Sequence, residues 1–167
     1  QLLTLARLDP DAGAAAGEYF DLAELAQGVC SALTPLALRG QQTLVLDAEP
    51  GFTLCGNRWW LEVLLRNLID NALRYTPAGG RVTVGLDARG RCLRVADDGP
   101  GIATELREQM LTRFARGADI EADGCGLGLS IVARIADIAG ATLAFEDGLP
   151  RPDGGVGLAV LVHFPLR

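Results

Sequence analysis

The apolar positions along this chain change period several times, and each change marks an element. Residues 1–9, QLLTLARLD, place Leu2, Leu5 and Leu8 at helical spacing and stop at Asp9-Pro10, which predicts the tail of a longer helix. PDAGAAAG (10–17) holds mainly small residues and predicts a linker and the domain boundary. Asp21 is placed to cap a helix through LAELAQGVCSALTPLALR, which Pro35 is expected to kink or interrupt. TLVLD (43–47) reads as a strand. Asn57 can cap a second helix, in which Leu64, Leu65, Leu68, Ile69, Ala72 and Leu73 supply apolar surface. RVTVGLDA and CLRVAD, joined by Arg89-Gly90-Arg91, predict a β-hairpin. Thr104 can cap a short helix, ELREQML, and residues 113–126 mix charges and glycines without a period, predicting a mobile loop. Leu127, Ile131, Ile135 and Ile138 then form one helical stripe that stops at Gly140. ATLAFED and VGLAVLVHF close the chain as strands, linked by the turn-rich GLPRPDGG. Hairpins occur without a strict strand–helix alternation. The pattern predicts an α+β two-layer sandwich, a mixed, mostly antiparallel sheet of about five strands with about three helices on one face.

Composition narrows the class. The chain has 167 residues, 49% hydrophobic and 22% charged, which suits one folded domain with a real core. Its longest apolar runs fall short of the ~20 residues that span a bilayer, and no charged segment followed by an apolar stretch opens it. Gln1 in place of an initiator Met suggests a fragment of something longer. A net charge of −6 argues against a nucleic-acid surface. All the basic side chains are arginine, so a basic contact to phosphate must use a guanidinium. Cys30, Cys55, Cys92 and Cys125 show no metal-ligand spacing and read as reduced, mostly buried thiols.

Against that background, Asn67 and Asn71 are out of place. They lie four residues apart in the helix that carries most of the aliphatic surface, so they project from one face. Asn is a poor helix-interior residue, because its amide competes for nearby backbone groups. Three further stretches are unusual: DDGPGI (97–102), RFARG (113–117) and GCGLGL (124–129). Alone, each has a bland reading: amides bonded to a neighbouring loop, an Asp-Gly turn, a solvated arginine, a glycine before a helix. GCGLGL is no Walker loop, since no GK[ST] follows, and no strand precedes it as in a dinucleotide fingerprint.

In order and spacing, NLIDN (67–71), DDGPGI, RFARG and GCGLGL resemble the catalytic, ATP-binding domain of bacterial sensor histidine kinases. That domain belongs to the superfamily shared with DNA gyrase, Hsp90 and MutL, whose shared architecture is the Bergerat fold, and the arrangement is most similar to kinases of the EnvZ and QseC kind. The resemblance spans 18–167. It implies that 1–9 is the end of the dimerisation and phosphoacceptor hairpin, 10–17 a linker and 18–167 the catalytic domain. It assigns Asn67 as ligand of Mg²⁺, an ion that keeps several waters and takes further ligands from substrate phosphates. Asn71 would face the phosphates or a metal-bound water, Arg74 would reach phosphate oxygens, and Tyr75 would flank the nucleotide. Asp97 would accept a hydrogen bond from the adenine amine, with Gly99 and Gly101 admitting the backbone close to the ring, Pro100 stiffening the loop, Ile102 packing on the base and Asp98 solvated. Gly126, Leu127, Gly128 and Leu129 would present backbone N–H groups to the phosphates at a helix start, where the dipole favours anions. Residues 113–126 would form the lid over ATP, with Phe114 as its hinge aromatic and Arg116 reaching the γ-phosphate. Leu111 stands where the family often has a second Phe.

The resemblance also implies what the chain lacks. Its one histidine, His163, lies in an apolar strand and reads as a buried or edge-satisfied imidazole, so the phosphoacceptor would be on the upstream hairpin. Superfamily members that hydrolyse ATP carry a glutamate base four residues before the first Asn. That position is Val63 here, with Glu62 one step off and about 100° round the helix. The implied function is transfer of the γ-phosphoryl group to that histidine, for relay to an aspartate of a response regulator. The implied setting is the cytoplasmic side of an inner-membrane kinase, with the isolated fragment monomeric. Two alternatives stay open from sequence: a serine-kinase or ATPase module of the same superfamily, and a degenerate interaction domain that binds no ATP.

Overall fold

The computed structural model describes residues 17–115 and 127–165. In chain order the elements are β1 (Glu18–Asp21), α1 (Leu22–Arg39), β2 (Thr43–Ala48), β3 (Thr53–Gly56), α2 (Arg58–Tyr75), β4 (Arg81–Asp87), β5 (Cys92–Asp97), α3 (Thr104–Ala115), α4 (Leu127–Ile138), β6 (Thr142–Pro150) and β7 (Val156–His163). Five strands form one mixed sheet in the order β2-β4-β5-β7-β6, with β2 parallel to β4 and every other pair antiparallel. This is the expected α+β architecture.

Local chemistry sets the helix limits. The Asp21 side chain accepts the Ala23 amide at 2.7 Å and starts α1. Asn57 accepts the Trp60 amide at 3.2 Å and starts α2. Pro77 forces the residue before it out of helical geometry, and Thr76 is extended at ψ 127°. The last turn of α2 is held from outside: the Gln42 side-chain amide donates to the carbonyl oxygens of Leu73 (2.8 Å) and Thr76.

The core lies between the helices and one face of the sheet. Strand alternation buries Val82, Val84 and Leu86 of β4, Leu93 and Val95 of β5, and Val160 and Val162 of β7. Leu64, Leu65, Leu68 and Ile69 of α2 and Ile131, Val132 and Ile135 of α4 cover them. The first halves of α2 and α4 lie at opposite ends: Trp60 and Leu61 share a groove with Ile135 and Ile138, and that groove is also lined by Gly17 and Pro165.

Several expectations change. Pro35 does not interrupt α1. It sits on the exposed face, and Ser31, whose carbonyl loses its amide donor, is exposed as well. Two four-residue strands, β1 and β3, pair as a separate antiparallel ribbon that the sequence pattern did not predict. Helix α3 starts at Thr104, with the Ala103 carbonyl accepting from Leu106 and Arg107, and runs on to Ala115. It therefore takes in Phe114, which was expected in a loop. β6 continues past Asp147 through Gly148–Pro150, with a register shift between Asp147 and Pro150. His163 is exposed at the end of β7. Asp98 is half-buried rather than solvated, and its Oδ1 accepts the Arg81 amide at 2.7 Å.

Candidate functional site

The two carboxamides of α2 meet the start of α4. Asn67 donates from Nδ2 to the Val63 carbonyl oxygen at 2.7 Å, one helical turn back. That bond fixes which end of the amide is which and turns Oδ1 outward. The space it faces is occupied by Gly128, in the first turn of α4. A Cβ on Gly128 would stand 3.2 Å from Asn67 Oδ1, 3.4 Å from Asn71 Oδ1 and 3.5 Å from Asn71 Nδ2. A side chain at this position would press on the Asn67 carboxamide, so glycine gives the helix start its closest approach. Neutral oxygens from one helix therefore lie beside the amide-rich, dipole-positive end of another, an arrangement suited to an anion that carries a hard cation. Gly128 and Leu129 are buried in that first turn, and Leu127 opens the helix.

The second half of the site is Asp97, at the end of β5. Strand period two places it on the same inward row as Leu93 and Val95, opposite Val82. It is one of two buried polar residues among the described residues, with 6% of its surface exposed. Oδ1 accepts the Gly99 amide at 2.8 Å and the Leu158 amide at 3.2 Å. Oδ2 lies outside both bonds. Burial pushes the carboxyl above its ordinary value, the two amides pull it back, and Asp98 adds a smaller upward push.

Four glycines pack closely around Asp97 and the loop that follows it. A Cβ on Gly99 would stand 2.8 Å from the Tyr75 carbonyl oxygen and 2.9 Å from Asp97 Oδ1. Gly101 adopts φ +71°, which an L side chain resists, and packs on the Val156 carbonyl. Gly148 and Gly157 were not singled out from sequence. A Cβ on Gly148 would lie 2.5 Å from the Asp97 carbonyl oxygen, and one on Gly157 would overlap that oxygen outright. The signal for them was weak, since a glycine in a strand has many explanations.

Other expected residues fall around this centre. Tyr75 is half exposed at the end of α2, and its carbonyl abuts Gly99. Ile102 is half-buried beyond the Gly101 turn. Arg74 is exposed and forms an i, i+4 ion pair with Asp70 at 3.4 Å, so any reach toward phosphate competes with that pair. Phe114 lies in the last turn of α3. Arg116 and Gly126 lie outside the described residues, as do 1–16. No group of three or more His, Cys, Asp or Glu side chains suited to a metal occurs among the described residues. Among the described thiols, burial pushes Cys30 to about 11 and also raises Cys92; Cys125 lies outside the described residues.

Comparison with known proteins bears on this geometry. The sequence profile described as "Histidine kinase-, DNA gyrase B-, and HSP90-like ATPase" matches residues 56–167. The sensor protein kinase PmrB of Pseudomonas aeruginosa is 40% identical over 168 residues, covering 99% of this chain and 34% of PmrB. The chain thus spans about a third of the length of that relative. Among solved structures, the cytoplasmic segment of histidine kinase QseC superposes with a TM-score of 0.69 at 28% identity, covering 100% of this chain and 89% of that one. Full-length ShkA in complex with AMPPNP gives a TM-score of 0.73 at 27% identity, covering 98% of this chain and 34% of ShkA.

Proposed function

Because the chain belongs to the histidine kinase-, DNA gyrase B- and HSP90-like ATPases, we propose that residues 18–167 are the ATP-binding kinase domain of a sensor histidine kinase. The observation that carries this is the meeting of Asn67 and Asn71 with the Gly128 end of α4, at the edge of the core that also holds Asp97. AMPPNP, the ligand of ShkA, is an adenosine triphosphate analogue, in keeping with that reading.

The residues divide the nucleotide between them. Asp97 accepts the exocyclic amine of adenine through Oδ2, and a base with a carbonyl oxygen at that position meets repulsion instead. Gly99 and Gly101 admit the ring, Ile102 packs on it and Tyr75 flanks it. The first amides of α4, with Gly126, Leu127, Gly128 and Leu129, bind phosphate oxygens. Asn71 and Arg74 line the phosphate path, and Phe114 and Arg116 belong to the lid. Asn67 Oδ1 fits Mg²⁺: it is a neutral oxygen whose amide partner is already engaged, and waters and phosphates complete such a shell. When bound, the ion supplies charge neutralisation on the phosphates.

The chain's own role is then to hold the γ-phosphoryl group in line for an external nucleophile. Phosphoryl transfer needs mainly positioning and electrostatic stabilisation. We assign the nucleophile to a histidine on the upstream hairpin, with 1–9 its tail and 10–17 the linker. The phosphoryl group passes on to a response-regulator aspartate. The intact kinase is anchored in the inner membrane with this domain in the cytoplasm, and the fragment alone is monomeric. No nucleic acid is among its partners, given the net charge of −6. Hydrolysis is slow, because Val63 stands where a glutamate base would be needed.

The test is calorimetric titration of the chain with ATP, ADP and GTP, with and without Mg²⁺, followed by addition of a separately made hairpin domain. Adenine-selective, Mg²⁺-enhanced binding and acid-labile, alkali-stable phosphate on the hairpin are expected. Equal binding of GTP, or no transfer to a histidine, overturns the reading.

A further inference from the structure

Arg107 is used by none of the roles above, yet its guanidinium is bound at two places near the site. It lies in the first turns of α3, and its side chain is only 12% exposed. Nε donates to the Ile102 carbonyl oxygen at 2.6 Å, and Nη2 donates to Asp147 Oδ1 at 2.8 Å. One guanidinium thus joins three elements: the loop that follows Asp97, the helix that leads toward the lid, and β6.

The anchor on β6 is well placed. Asp147 directly precedes Gly148, which packs on the Asp97 carbonyl and the Leu158 amide, the latter a donor to Asp97 Oδ1. Asp147 is also held from the sheet, because Arg94 Nη2 donates to its main-chain carbonyl at 3.0 Å. Its register shift with Pro150 begins at this point. Arg107 therefore grips the strand at the place where β6 and β7 back the carboxylate, and with its other nitrogen grips the carbonyl of the residue beyond the Gly101 turn. A planar guanidinium can make both bonds at once, whereas an ammonium on a flexible stem cannot hold the two in fixed geometry.

We propose that Arg107 is a positioning residue for adenine recognition: it fixes the Gly99–Ile102 loop against β6, so that Ile102 and Asp97 Oδ2 meet the base in one geometry. This rests on the adenine reading of Asp97. It also makes α3 part of the base pocket.

Four variants test this by titration with ADP and with inosine diphosphate, which carries oxygen where adenine carries the amine. Arg107→Met keeps the apolar stem and removes both bonds. It is expected to weaken ADP by about tenfold, the scale of losing hydrogen bonds to a charged group. It is also expected to narrow the preference for ADP over inosine diphosphate, with the nucleotide-free unfolding midpoint near that of the parent. Arg107→Lys recovers part of the loss. Asp147→Asn loses less than Arg107→Met, and the double variant Arg107→Met/Asp147→Asn loses no more than Arg107→Met alone. Parental ADP affinity in Arg107→Met, or an equal fall for both nucleotides with a lowered midpoint, overturns the positioning role. In either case Asp97→Asn, run alongside, still abolishes ADP binding if the adenine reading holds. Parental affinity in Asp97→Asn sinks both.

Discussion

Gly128 of α4 packs directly on Asn67 of α2, so close that a Cβ on the glycine would stand 3.2 Å from the carboxamide oxygen. Two helices separated by residues 76–126, which include a hairpin and the Asp97 loop, are brought together at the two groups proposed to handle phosphate and metal.

This contact makes Gly128→Ala informative. Replacing a helical glycine by alanine adds up to about 1 kcal/mol of helix stability. The same methyl group pushes on Asn67 and Asn71 by a few tenths of an ångström. The two effects oppose each other in the unfolding midpoint, which is expected to move little by thermal denaturation. Displacing Asn67 Oδ1 strains its bond to the Val63 carbonyl and brings no compensating gain at the site, so Mg²⁺-dependent ATP affinity and phosphoryl transfer to an added hairpin are expected to fall. Unchanged transfer removes the contact from the mechanism.

Asn67→Ala separates metal from nucleotide. The variant loses the one oxygen assigned to Mg²⁺ and leaves Asp97 and its glycines untouched. Transfer is expected to fall on the order of 100-fold, the scale of losing one preorganised electrostatic group. ADP binding without Mg²⁺ is expected to stay near parental. Equal losses in both titrations contradict the ligand role.

Asp97 carries a pH dependence whose sign is fixed by burial. Its carboxyl titrates above the ordinary range in the fold, so the fold favours the neutral form. Any stability it contributes is present below the unfolded-state value and is lost as pH rises through the folded value. At neutral pH the ionised group is a cost, and Asp97→Asn is expected to match or exceed the parental unfolding midpoint without nucleotide. Adenine binding has the opposite need, because only the carboxylate accepts the amine proton well. ADP affinity is therefore expected to drop as pH falls through a window beginning above the ordinary carboxylate range. In Asp97→Asn it is expected to be lost at every pH. Calorimetry across that window checks both.

Gly157→Ala is expected to be the most damaging of the small substitutions. A methyl group there overlaps the Asp97 carbonyl oxygen, a backbone atom in a strand paired with β4 that no rotamer change can move. A loss on the order of 3 kcal/mol is expected from overpacking of this kind, read by urea denaturation. By contrast Gly154→Ala, in the turn between β6 and β7, meets no neighbouring atom and is strained only by its φ of +86°.

Much of this was legible in the chain, and the reasons are local. Asn57 and Asp21 announced their helices because a capping side chain acts within three residues. Asn67 and Asn71 stood out because amides are unusual amid aliphatic helix surface. Asp97 could be placed on the inward row by counting in twos from Leu93. The parts that were missed depend on distant partners. Glu18–Asp21 and Thr53–Gly56 are too short to show a period, and only their pairing makes them strands. Arg107 looks like any solvated helix arginine until Asp147, forty residues on, is placed beside it. Gly148 and Gly157 matter only because β6 and β7 close over the Asp97 backbone. Pro35 was over-read, since the rule against proline in helices is relaxed on an exposed helix face.

The groove shared by Gly17 and Pro165 has a consequence for access. It sits at the Trp60 end of α2, about 16 Å along the axis from Asn71 at 1.5 Å per residue. The groove and the carboxamide pair therefore lie toward opposite ends of α2. Under the proposed reading, whatever fills that groove leaves the phosphate end of α2 uncovered.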